Sequence, residues 1–134
     1  MRRTVLTYGS FDMFGPAEAL FLRRLCGMGT ELIVGCATDA FAAARGTPCR
    51  IDFAQRRATL EACRFVSRVI PEMSWDQKRT DIVNYDVAVF AMSGAWAGTF
   101  DHLGDLVEVV YIAPDAGATR AQARGALARV SGTN

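Results

Sequence analysis

Histidine is almost missing from this chain: His102 is the only one in 134 residues. Multi-histidine metal centres and paired-imidazole catalysis are therefore excluded by composition. Lysine is as scarce, with Lys78 alone, so fourteen of the fifteen basic residues are arginines. Any anion contacts would be guanidinium contacts, which suit bidentate phosphate recognition. Neither sign of charge is in excess, since fifteen basic residues oppose fourteen acidic ones for a net charge of +1. That balance gives no reason to expect a nucleic-acid or membrane-surface partner. The four cysteines, Cys26, Cys36, Cys49 and Cys63, form no CxxC pair and have no histidine cluster nearby. They read as reduced, mostly buried thiols, and no metal site is expected. No apolar run approaches a membrane span, and the one after Met1-Arg2-Arg3 is too short for a signal-peptide core. The expectation is a cytoplasmic protein.

What is present is ample apolar material, 51% of residues, without linkers, repeats or low-complexity segments. One domain over residues 1–134 is expected. Strand-like and helix-like patterns alternate. Strands are expected over residues 4–8, 31–38, 66–71, 87–92 and 108–113, the second with the buried run Leu32-Ile33-Val34. Helices are expected over residues 17–28, 53–65 and from Ser74-Trp75-Asp76 to about 85, with a last one from Thr119 to about 130. In the 53–65 helix Leu60 and Cys63 should face inward, with Arg56, Arg57 and Glu61 mostly outside. Residues 41–50, small and broken by Gly46 and Pro48, read as a loop. This βαβα order predicts an α/β fold, a doubly wound parallel sheet of five strands, with ligand sites at the carboxyl ends of the strands.

One such end is distinctive. Thr7-Tyr8-Gly9-Ser10-Phe11-Asp12 carries a strand through a glycine turn toward a helix opening at Gly15-Pro16-Ala17-Glu18. That arrangement presents backbone N–H groups to phosphates. Asp12 is suited either to cap the local turn or to approach a ligand. Pro16 fits a first helical turn, and Glu18 favours the helix N-terminus by about 0.3–1 kcal/mol.

The opening stretch resembles that of cytidylyltransferases, specifically the glycerol-3-phosphate type. The resemblance continues through Arg64-Phe65-Val66, Val69-Ile70-Pro71-Glu72, Trp75-Asp76-Gln77-Lys78-Arg79, Val89-Phe90-Ala91-Met92, Trp96-Ala97-Gly98-Thr99-Phe100-Asp101 and Glu108-Val109-Val110-Tyr111. It implies a Rossmann-like nucleotidyltransferase fold, usually a homodimer. The implied reaction joins CTP and a phospho-alcohol into a CDP-alcohol and pyrophosphate, with Mg²⁺ accompanying the nucleotide. The implied nucleotide-binding positions are Tyr8, Gly9, Ser10, Phe11, Arg45, Arg56, Arg64, Trp75, Trp96, Gly117, Thr119 and Arg120. As large aromatics the two tryptophans are more often packing residues than stacking platforms.

The chemistry that the resemblance implies is depleted. The family's His-x-Gly-His element falls on Gly15-Pro16-Ala17-Glu18, so both imidazoles that would stabilise charge on the triphosphate are gone, and an acid stands at the second. A lysine-bearing loop falls on Arg45-Gly46-Thr47. A Gly-Asp-Asp-Trp element appears as Ser93-Gly94-Ala95-Trp96. In the closing motif an arginine is replaced by Pro114, with Asp115 next. Removing one group that stabilises a transition state typically costs about 10²–10³ in rate, so their joint loss should leave little turnover. No catalytic residue is assigned, His102 having no second base or nucleophile beside it. Three readings follow: an impaired cytidylyltransferase that retains nucleotide or phosphate binding, an active transferase using Arg45, Arg56, Arg64 and Arg120, or a non-enzymatic dimerisation or partner module. Phe14, Phe21, Phe41 and Phe53 suit a core or an interface.

Overall fold

The computed structural model describes residues 2–113. The chain runs β1 (Thr4–Gly9), α1 (Pro16–Cys26), β2 (Glu31–Ala37), α2 (Asp39–Ala44), α3 (Phe53–Ala62), β3 (Arg68–Glu72), α4 (Gln77–Asn84), β4 (Val87–Ser93) and β5 (Glu108–Ile112). Two 3₁₀ turns, Gly94–Trp96 and Asp101–Asp105, lie between β4 and β5. The five strands pair in the order β3-β2-β1-β4-β5, all parallel. The chain winds outward from β1 to β3, then returns to the other side of β1. The order reverses between β1 and β4, and in doubly wound folds the ligand crevice lies at that reversal, outside the carboxyl ends of the strands, here Gly9 and Ser93. The expected doubly wound α/β sheet is the one observed.

Every residue of β1 is buried, because helices cover both faces of the sheet. Strand alternation divides its side chains: Val5 joins Leu32, Val34, Val69 and Val89 beneath Leu22, Leu25 and Leu60 of α1 and α3. Leu6 and Tyr8 join Ile33, Ile70 and Phe90 on the opposite face, under Ile82 of α4 and Leu103 of the second 3₁₀ turn. Phe14, Phe21 and Phe53 pack partly buried against the first cluster. Gly35 stands opposite Tyr8 in the β1–β2 register, and a Cβ there would lie 2.2 Å from the Tyr8 ring. Only glycine lets the phenol cross β2 on its way to α4.

Several expectations need correction. Residues 41–50 are not all loop, since α2 occupies Asp39–Ala44, with the Thr38 hydroxyl accepting the Phe41 N–H at 3.2 Å. Its alanines are strong helix formers, and it stops before Gly46, whose φ is +88°. Helix α3 ends at Ala62, with Cys63 already extended, so Arg64, expected within the 53–65 helix, is not helical. Arg56 is not outside but buried, 1% exposed. The third strand sits later than expected, at Arg68–Glu72. Helix α4 starts at Gln77, because the Gln77 side chain accepts the Met73 and Ser74 N–H groups at 2.6 and 3.0 Å and holds residues 73–76 as a loop. The last expected helix, with Gly117, Thr119 and Arg120, lies outside the described residues.

Candidate functional site

The carboxyl edge of β1 delivers Gly9, buried Ser10 and Phe11, the last with φ of +53°. That left-handed conformation is uncommon for a bulky residue and is sustained only where surroundings over-determine it. Arg56 supplies much of that determination. Its Nη1 donates to the Ser10 carbonyl at 2.9 Å and the Ala37 carbonyl at 2.7 Å, Nε donates to the Ile51 carbonyl at 2.8 Å, and Nη2 pairs with Asp39 Oδ1 at 2.8 Å. Helix α3 thus aims one guanidinium at the ends of β1 and β2 together. All three of its nitrogens are engaged within the protein, so Arg56 shapes the turn from behind.

Asp12 does not cap its own turn. Its carboxylate accepts the Arg50 and Ile51 N–H groups at 2.9–3.1 Å and ties the β1–α1 connection to the segment before α3. Cys36 lies beneath this junction, 3.4 Å from Arg56 Nη1, with its thiol pushed up to about 12 by burial. All four cysteines are free thiols, but only Cys36 is fully buried, the others being half-buried. That is less burial than the sequence suggests.

At the N-terminus of α1, Glu18 is 3% exposed and its Oε1 accepts the Gly15 N–H at 2.8 Å. Pro16 occupies the first turn, where an N–H would be unpaired in any case. A carboxylate on the helix N-terminus neutralises the positive end of the dipole that a phosphate would otherwise use.

A second cluster gathers around Lys78 in the first turn of α4. Its Nζ donates to Glu72 Oε2 at 3.0 Å, and both side chains are buried. The same nitrogen lies 4.0 Å from the Trp75 ring centroid, 4.6 Å from Tyr8 and 5.7 Å from Phe100. Trp75, Trp96 and Phe100 pack on one another with centroids 5.5–5.7 Å apart. Burial pushes the Glu72 carboxyl up, and the nearby ammonium opposes that shift. Glu72 Oε1, Ser93 Oγ and Trp96 Nε1 are buried without a hydrogen-bond partner among the described residues. Arg45, half-buried over the Phe41 ring at 4.8 Å, is attracted to the same Glu72.

The expected site residues therefore divide. Gly9, Ser10 and Phe11 form the turn at the carboxyl end of β1, and Trp75 and Trp96 pack on each other after the carboxyl ends of β3 and β4. Tyr8 is in the core, its hydroxyl donating to Asp81 Oδ2 at 2.5 Å, so its ring is no binding surface. Arg64 is exposed and lies over Phe65 at 5.0 Å, packed on its own neighbour. His102 is exposed on the second 3₁₀ turn. Sequence reasoning passed over Lys78 and Glu72. Their signal was the lone lysine within a tryptophan-bearing stretch, in a chain that otherwise uses arginine.

The Cytidylyltransferase-like family model matches residues 6–131. Over 110 residues the chain is 41% identical to the glycerol-3-phosphate cytidylyltransferase of Staphylococcus aureus, covering 82% of this chain and 83% of that protein. It is 37% identical to the Bacillus subtilis protein of the same name, covering 82% of this chain and 85% of that one. Its fold resembles the crystal structure of a lipopolysaccharide core biosynthesis protein from Thermoplasma volcanium, with a TM-score of 0.72 at 21% identity over 86% of this chain and 99% of the other.

Proposed function

The chain belongs to the cytidylyltransferase-like family, and from that premise we propose that it binds a cytidine nucleotide at the β1–β4 crevice while its transferase activity is impaired. Glu18 is the observation that carries this reading. Where the resemblance implies the second imidazole, a buried carboxylate accepts the Gly15 N–H at 2.8 Å. A carboxylate there cannot donate to developing phosphate charge, and it repels the triphosphate that the helix N-terminus would attract. The Gly9-Ser10-Phe11 turn, held by Arg56, supports the binding half of this reading, because a strand leading through a glycine turn to a helix is where α/β folds receive phosphates.

The ancestral reaction is the transfer of a cytidylyl group from CTP to glycerol 3-phosphate or a similar phospho-alcohol, releasing pyrophosphate. An active enzyme relying on arginines is supported less well, because the nitrogens of Arg56 are committed to Ser10, Ala37, Ile51 and Asp39. No group of three His, Cys, Asp or Glu side chains able to hold a metal occurs among the described residues. A magnesium ion would accompany the nucleotide and be held by its phosphates. No helix among the described residues is long and apolar enough to cross a membrane. The homodimer suggested by the resemblance is part of the proposal, and a solution mass of one chain would remove it.

The test pairs calorimetric titration of CTP, with and without Mg²⁺ and with ATP and GTP as controls, with an assay of CDP-glycerol formation. Saturable CTP binding with negligible turnover is expected, with turnover rising in the Gly15→His/Glu18→His variant. Efficient turnover by the unaltered chain would overturn the impairment. Absence of binding by any nucleotide would leave the partner-module reading instead.

A further inference from the structure

Ser93 ends β4 beside the end of β1. The two strands run parallel with Leu6 paired to Phe90, so Gly9 and Ser93, each three residues further on, finish side by side. Alternation along β4 puts Ala91 in the core beneath α1 and α3, and Met92 in the core on the opposite face. Ser93 therefore turns its side chain to the α1 face, where neighbouring Gly9 places none. The residue is 5% exposed, and its Oγ has no hydrogen-bond partner among the described residues.

The usual use of such a serine inside a protein is not taken up. Ser93 precedes the 3₁₀ turn Gly94–Trp96, at the position from which a serine hydroxyl ordinarily accepts an N–H of the turn, yet it makes no such bond. Alanine would fit the same backbone without the cost of burying an unpaired hydroxyl. The element that this segment resembles has glycine here, so neither the fold nor the resemblance calls for a hydroxyl at this strand end.

Resting on the reading of this edge as a nucleotide site, we propose that Ser93 is a binding residue for the sugar of the nucleotide, its Oγ bonding a ribose hydroxyl. A serine hydroxyl both donates and accepts, which matches a sugar hydroxyl, whereas a fully ionised phosphate only accepts. Phosphates are disfavoured on this face in any case, because the Glu18 carboxylate already occupies the N-terminus of α1. Gly94 and Ala95 carry no polar side chain, so Ser93 is the hydrogen-bonding side chain that residues 93–95 offer.

The unaltered protein, Ser93→Ala and Ser93→Gly would be titrated calorimetrically with cytidine, CMP, CTP and the 2′-deoxy and 3′-deoxy forms of CTP, and each protein melted without ligand. Ser93→Ala should bind the three ribose ligands about three- to tenfold more weakly, the scale of one hydrogen bond. Ser93→Gly should repeat that loss. One of the two deoxy forms should bind the unaltered protein with a similar deficit and lose nothing further in Ser93→Ala. The ligand-free melting temperature of Ser93→Ala should not fall, because the hydroxyl has no bond to lose. A fall of more than about 3 °C would place that bond inside the protein and overturn the proposal. Unchanged affinity would overturn it too, as would a loss confined to CTP, which would assign the hydroxyl to phosphate. Failure of the unaltered protein to bind any cytidine compound removes the nucleotide reading itself, whereas binding that Ser93→Ala leaves intact removes this assignment alone.

Discussion

Arg56 Nη1 donates to the carbonyl of Ser10 at 2.9 Å, joining a helix on one face of the sheet to the turn at the end of its central strand. The bond is buried, and the same guanidinium holds Ala37 and Ile51. Arg56→Ala would leave three carbonyls without this donor and a void beneath the turn. A loss of roughly 2–4 kcal/mol in unfolding free energy is predicted, because buried acceptors deprived of partners keep their desolvation cost. Urea denaturation measures it, and a loss under about 0.5 kcal/mol would contradict the role assigned to Arg56.

Gly35→Ala should be more damaging than an ordinary glycine replacement in a strand. The added Cβ would fall 2.2 Å from the Tyr8 ring, which is fixed from beyond by the bond to Asp81. Either the ring leaves that bond or β1 and β2 separate. Overpacking of this kind typically costs about 1–3 kcal/mol. Thermal unfolding would show it, and a Tyr8→Ala background should relieve much of the effect. Equal penalties in both backgrounds would rule the clash out.

Asp39 gives stability a defined pH dependence. The Phe53 N–H and the Arg56 guanidinium hold its carboxyl below its ordinary value of 3.8. A depressed folded-state value means the contribution is present above the unfolded value and disappears as pH falls through the folded one. Because Asp39 is exposed, the contribution should stay within about 1 kcal/mol. The stability difference between the unaltered chain and Asp39→Asn, measured in urea at pH 7 and stepwise to pH 2.5, is predicted to shrink on acidification. A difference that widens would reverse the sign.

The alternation of patterns was enough to place β1, β2, β4 and β5 to within a residue or two, since a parallel strand buried on both faces is written as a continuous apolar run. The helix ends were less legible. Whether Ala40 and its neighbours form helix depends on the Thr38 cap, and where α4 begins depends on a Gln77 side chain reaching back to two amides. Arg56 misled for a related reason. A charged residue in an amphipathic helix reads as exposed, unless the carbonyls that will satisfy it are known to converge on it.

What the sequence determined by itself was the class of fold, the Gly9 turn and the replacement of both expected imidazoles at positions 15 and 18, because these are written in local pattern and residue identity. What the tertiary structure decided was the use of the remaining charges. Arg56 and Lys78 are separated in sequence from Ser10, Asp39, Tyr8 and Phe100, the groups that engage them. Only the winding of the sheet brings strand ends, loops and helix starts to one edge, where burial makes each pairing obligatory.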